Sequence, residues 1–156
     1  SVVVTFDLHP RKVLNADFQP KLLTTLEERI FQIGTTGVDA CVVLNFTREM
    51  SLLSARDFLK EVLRDQLNVQ TLLVGHDHRF GHNREDGLQE YIRYGEELGI
   101  KVIEAQRFAT KDMPHISSSV IRRMLLEGDI DTANRLLTYE YSFEGKVVNG
   151  FKVGIK

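Results

Sequence analysis

The sequence predicts an α/β fold, a parallel sheet with helices on both faces, closed by a short C-terminal β segment. Short apolar runs recur at Val2-Val3-Val4, Cys41-Val42-Val43-Leu44, Thr71-Leu72-Leu73-Val74 and Val102-Ile103. Runs without polar alternation suit strands covered on both faces. Between them lie segments whose apolar residues repeat at helical spacing. That alternation breaks after Thr138, where the chain turns extended and glycine-rich.

The helices follow in order. Thr24 with Glu27 forms a candidate capping box ahead of Leu26, Ile30 and Ile33. Ser54 with Asp57 starts a second helix, whose apolar stripe is Phe58, Leu59, Val62 and Leu63. A third starts near Asp86, uses Leu88, Tyr91, Ile92 and Leu98, and ends at Gly99. The fourth follows Ser117-Ser118-Ser119, with Val120, Ile121, Met124 and Leu125 inward and Glu127-Gly128 as its stop. Asp129 caps a fifth that carries Ile130, Ala133, Leu136 and Leu137. From Tyr139 to Lys156, Tyr141 and Phe143 alternate among Gly145, Gly150 and Gly154, which reads as a β-hairpin or the first strand of another module. A domain boundary is expected near Thr138.

Composition narrows the function classes. With 156 residues, 42% of them hydrophobic, the chain can bury a sizeable core. Its net charge of -2 gives no global electrostatic footprint for nucleic acid. The one cysteine, Cys41, sits in an apolar run and reads as a small buried hydrophobe rather than a reactive thiol. Without a disulfide framework, a secretory signal or an apolar stretch long enough to span a bilayer, the expected setting is the cytoplasm, with no membrane partner.

In an open parallel sheet, ligands bind beyond the carboxyl ends of the strands. Three polar segments fall there: Thr5-Phe6-Asp7-Leu8-His9-Pro10, Gly75-His76-Asp77-His78-Arg79-Phe80-Gly81-His82, and Ile116-Ser117-Ser118-Ser119-Val120-Ile121-Arg122. The last is the most telling. A helix start presents unpaired N–H groups and positive dipole charge, a natural seat for phosphate. Serine hydroxyls can cap that start or reach phosphate oxygens, and Arg122 can offer a planar fork to the same anion. A capped structural helix that happens to carry an arginine is the alternative. Gly75 and Gly81 permit tight turns and close ligand approach. Asp77 can orient a hydroxyl, and Arg79 can neutralise phosphate or pair with Asp77. Phe80 and Phe6 are candidates for a flat apolar wall, with core packing the competing role, favoured for Phe6. His9 can donate to phosphate or hold a structural hydrogen bond. His76, His78 and His82 match no structural zinc spacing, and no protein-held metal is expected.

Taken together, these segments resemble the FMN adenylyltransferase module of the bacterial bifunctional FAD synthetases (riboflavin kinase/FMN adenylyltransferase). The first looks like the family's T-F-x-P-H-P, with Leu8 in place of the usual proline. Leu22-Leu23-Thr24-Thr25-Leu26-Glu27-Glu28 looks like the stretch that follows it. Phe46-Thr47-Arg48-Glu49 and Leu53-Ser54-Ala55 match the region after the next strand. Gly75–Gly81 is similar to G-x-D-F-R-F-G, with His78 at a usual aromatic, and Ser117–Arg122 is similar to S-S-[ST]-x-I-R.

The resemblance implies a Rossmann-like nucleotidyltransferase sheet over residues 1–138 and, over 139–156, the start of a riboflavin kinase β-barrel. Phe143–Gly154 looks like that barrel's opening and stops before its P-T-A-N segment. It further implies that FMN and ATP, with magnesium carried on the ATP, give FAD and pyrophosphate, and that riboflavin is a substrate of the bifunctional whole. Arg122 and Ser118 would be catalytic, with Arg122 on the ATP phosphates. Thr5, His9, Pro10, Asp77, Arg79, Phe80, Gly81, Ser117 and Ser119 would bind the ligands. The family's H-x-G-H signature and its glycine-rich turn do not occur in the sequence. A first βα unit is therefore expected upstream of Ser1 or on another chain, its strand central in the sheet. Competing readings are a flavin- or nucleotide-binding module without turnover, another nucleotidyltransferase of the superfamily, and a fragment with no ligand.

Overall fold

The computed structural model describes residues 1–75, 77–82, 84–106 and 116–148. The chain divides into two compact units, Ser1–Phe108 and Ala109–Lys156.

In the first unit every expected apolar run is a strand. β1 (Val2–Phe6) lies parallel to β2 (Ala40–Leu44), in register from Val2 opposite Ala40 to Phe6 opposite Leu44. β3 (Thr71–Val74) lies parallel to β4 (Lys101–Glu104). The pairings make two separate two-stranded sheets rather than one continuous sheet. The strands are also less covered than continuous apolar runs suggested. Leu73 and its register partner Ile103 are 65% and 38% exposed, and Cys41 is only half-buried.

The helices show what the pattern could and could not fix. α1 (Pro10–Leu14) was not expected; His9 caps it, and Pro10 supplies a fixed φ where no N–H is needed. α2 (Leu26–Thr35) starts one residue later than expected. Its capping box is Thr25 with Glu28: Glu28 N–H donates to Thr25 Oγ1 at 3.2 Å, and Thr25 N–H to Glu28 Oε2 at 2.7 Å. Consecutive threonines followed by consecutive glutamates permit either register. α3 (Arg48–Leu52), another unexpected short helix, is capped by Thr47.

Ser54 caps α4 (Ala55–Asp57) as expected, accepting from Asp57 N–H at 3.0 Å. The chain then widens into a π-helix over Phe58–Gln66. Its Leu59, Val62 and Leu63 join Leu98 and Ile100 in the main core, beside Ala55, Val74 and Tyr91. α5 (Leu88–Leu98) ends at Gly99 with φ 74°, a left-handed stop that glycine adopts without cost. Gly95 lets α5 lie on the turn into β4, because a Cβ there would stand 2.5 Å from the Ile100 carbonyl oxygen.

In the second unit α6 (Ser118–Glu127) and α7 (Ile130–Leu137) pack together, and Ile121, Ala133 and Leu136 are buried. Asp129 caps α7 as expected, while α6 starts within the serine cluster, capped by Ser117, rather than after it. Ile130 is 45% exposed, so α7 buries a narrower stripe than its sequence suggested. Tyr139–Val148 form no strand. Tyr141 N–H is held by Asn134 Oδ1 at 2.8 Å, and beyond it Phe143, Val147 and Val148 stand exposed with no ladder partner among the described residues. The rest of the expected C-terminal β segment, 149–156, lies outside the described residues. No helix among the described residues is long and apolar enough to cross a membrane.

Candidate functional site

At the carboxyl end of β1 the chain leaves through Asp7. Asp7 N–H donates to the Leu44 carbonyl at 3.0 Å, and Asp7 Oδ1 accepts from Leu8 N–H at 2.7 Å and Phe46 N–H at 2.9 Å. One carboxylate thus ties the loop after β1 to the loop after β2. Thr5 lies within β1, opposite Val43, and Phe6 packs edge-on against Phe46 with ring centres 5.0 Å apart. Phe6 is half-buried against that ring, as packing requires. His9 Nδ1 accepts from Arg11 N–H at 3.2 Å. In the neutral imidazole this puts the proton on Nε2, a donor suited to a phosphate oxygen. Pro10 follows as the first residue of α1.

Beyond β3, Gly75 and Asp77 are exposed, and His76 lies outside the described residues. Arg79 turns away from Asp77, with which it forms no ion pair among the described residues. Its Nη1 donates to the Asp86 carbonyl at 3.4 Å and lies over Gly87, where a Cβ would be 2.3 Å away. Phe80 stacks on the fully buried Tyr91, ring centres 4.1 Å apart and planes 17° apart. Tyr91 Oη accepts from Phe80 N–H at 3.0 Å. That face of Phe80 belongs to the core and cannot also serve as a wall for a ligand ring.

Gly81 has φ 91°, and a Cβ there would approach Ala55 N to 2.6 Å. Glycine is required by both conformation and space. His82 N–H donates to the Leu53 carbonyl at 2.8 Å, and its Nδ1 stands 3.0 Å from the Ser51 carbonyl oxygen. Between these elements opens a cleft of about 200 Å³, lined in part by Ser54, Phe80, Gly81, His82 and Arg84. His78 keeps much solvent exposure, yet partial burial of its ring holds its pKa below the usual 6.5. The Arg84 cation acts in the same direction, and Asp77 opposes both.

The first two polar segments therefore share a neighbour. α1, which follows β1, packs on α3, and the turn after β3 binds the chain at Ser51 and Leu53. The third segment belongs to the second unit. There Ser117 Oγ accepts from Val120 N–H at 3.3 Å, and Arg122 Nη2 donates to Ser119 Oγ at 3.2 Å. Ser117, Ser118 and Ser119 are exposed, and no acidic side chain occupies the first turn. An anion at this helix start would meet donors and dipole with no carboxylate in the helix's own first turn.

Sequence reasoning passed over Asp7, Gly87 and Arg29. Asp7 was visible as the first charge after an apolar strand. Nothing marked Arg29, since an arginine on a helix ordinarily faces water.

Parallel strands joined by helices, with polar loops at the strand ends, define an α/β protein of alternating type. The chain belongs to the FAD synthetase family, whose family model matches residues 1–120. It is 35% identical to the bifunctional riboflavin kinase/FMN adenylyltransferase of Buchnera aphidicola subsp. Schizaphis graminum, over 100% of this chain and 50% of that protein. The protein of the same name from Listeria monocytogenes is 35% identical over 99% of this chain and 48% of its own length. The one from Escherichia coli K12 is 31% identical over 98% and 49%. The chain thus spans about half the length of these curated relatives. A crystal structure described as a macrolide-efflux protein from Streptococcus pneumoniae superposes with a TM-score of 0.74 at 24% identity, over 90% of this chain and 52% of the other. That likeness is one of fold.

Proposed function

We propose that the chain is the FMN adenylyltransferase part of a bifunctional FAD-forming enzyme. An FMN phosphate oxygen attacks the α-phosphorus of ATP, the bond to the β-phosphate bridge breaks, and FAD and pyrophosphate leave. Such a transfer asks for alignment and for positive charge over the reacting phosphates. Magnesium enters with ATP as part of the substrate and keeps several of its waters.

Within this reading the start of α6 receives phosphate, with Arg122 and Ser118 on the reacting groups and Ser117 and Ser119 at the helix edge. Thr5, His9, Pro10, Asp77, Arg79 and Gly81 shape the flavin and nucleotide sides, while Phe80 supports the loop from the core. The observation that carries the reading is the family match, which covers the first two polar segments and enters the third as far as Val120. Residues 1–138 form the adenylyltransferase domain and 139–156 open the riboflavin kinase barrel, whose completion would add riboflavin as a substrate. The work is done in the cytoplasm, without nucleic acid or membrane.

Incubating the complete natural protein with FMN, ATP and magnesium tests this directly. Chromatography should show FAD accumulating with pyrophosphate. Binding of both ligands without FAD would instead make it a carrier module. Equal adenylylation of unrelated acceptors would remove the flavin assignment.

A further inference from the structure

We infer that Asp7 and Arg29 are positioning residues for His9. The inference rests on the adenylyltransferase reading only for its kinetic half. Three backbone groups at the end of β1 are held by named partners. The Phe6 carbonyl accepts from Arg29 Nη2 at 2.6 Å, Asp7 N–H donates to Leu44, and Leu8 N–H is held by the Asp7 carboxylate, which also grips Phe46 N–H. The very next residue is His9, whose Nδ1 caps the following turn. The direction in which the chain enters His9 is thus set by a cation from α2 and an anion bridging to the loop after β2.

The Arg29 side chain carries a sign that this is more than stabilisation. Its Nε is buried without a hydrogen-bond partner among the described residues. Burying an unpaired charged donor costs stability, and an apolar side chain of similar length avoids that cost. What the guanidinium supplies, and an apolar chain cannot, is the fixed bond to the Phe6 carbonyl.

The experiment uses the complete natural protein and its Arg29→Met, Arg29→Lys, Asp7→Ala and Asp7→Asn variants. It reads the ¹⁵N shifts of His9, at a pH where the imidazole is neutral, beside melting temperature and FAD-forming kinetics. Wild type should show one dominant tautomer, with the proton on Nε2. Arg29→Met should mix the two His9 tautomers and lower kcat/KM on the order of 10–100-fold, more than its drop in melting temperature accounts for. Arg29→Lys, which can still reach the carbonyl, should recover most of both. Asp7→Ala should reproduce the tautomer change, and Asp7→Asn, which keeps an acceptor oxygen, should show less of it.

A His9 spectrum unchanged in both Arg29→Met and Asp7→Ala overturns the inference. So does a melting temperature that falls in step with activity while the spectrum stays fixed. If wild type itself forms no FAD, the functional reading fails, and the tautomer comparison still decides the positioning role.

Discussion

Arg79 carries the kind of information that only coordinates supply. Its guanidinium rests over Gly87, where a methyl group would stand 2.3 Å from Nη1. The obstructed atom is the end of a flexible side chain, so Gly87→Ala should cost the fold little, within about 0.5 kcal/mol. It should nevertheless expel Arg79 from its seat and raise the apparent Kd for FMN or ATP severalfold. Urea denaturation paired with ligand titration checks both halves; equal loss of stability and affinity would mean that Gly87 serves the helix alone.

His78 offers a test at the same scale. Partial burial favours its neutral form in the folded state. As pH falls through the unfolded value of about 6.5, the unfolded chain takes up the proton first, so folding stability drops until pH reaches the lower folded pKa. The stability of wild type minus that of His78→Gln should therefore be flat above that window and fall within it. A difference that grows on acidification contradicts the assignment.

Among the elements, the capping residue of α2 separates pattern from fact. The Thr25–Glu28 box predicts that Thr25→Ala destabilises by about 1 kcal/mol, whereas Thr24→Ala changes little. Thermal melts of the two variants decide it, and the reverse order would restore the register first expected from the sequence. The caps at Ser54 and Asp129 were legible because each is a hydroxyl or carboxylate just ahead of an apolar stripe, whereas three consecutive serines left the cap of α6 open among them. The π-helix was not. Apolar residues at 58, 59, 62 and 63 fit an α-turn equally well, and only the backbone bonds distinguish them. The five-residue helices α1 and α3 are too short to show any period, although His9-Pro10 and Thr47 were usable start signals.

For the whole molecule, strand identity and parallel direction were readable from local composition, but the division into two pairs was not, because pairing depends on distant parts of the chain. Site residues were readable as motifs, while their partners were not: Arg79 on Gly87 and Phe80 on Tyr91 are long-side-chain choices that spacing leaves open. The account as a whole depends on phosphate being handled at the first turn of α6, where Arg122 stands beside Ser119. Steady-state FAD formation by the complete protein carrying Arg122→Ala measures that dependence most directly. The expected result is a fall in kcat/KM for ATP of about 10²–10³-fold, with the melting temperature held. Turnover equal to wild type would contradict it.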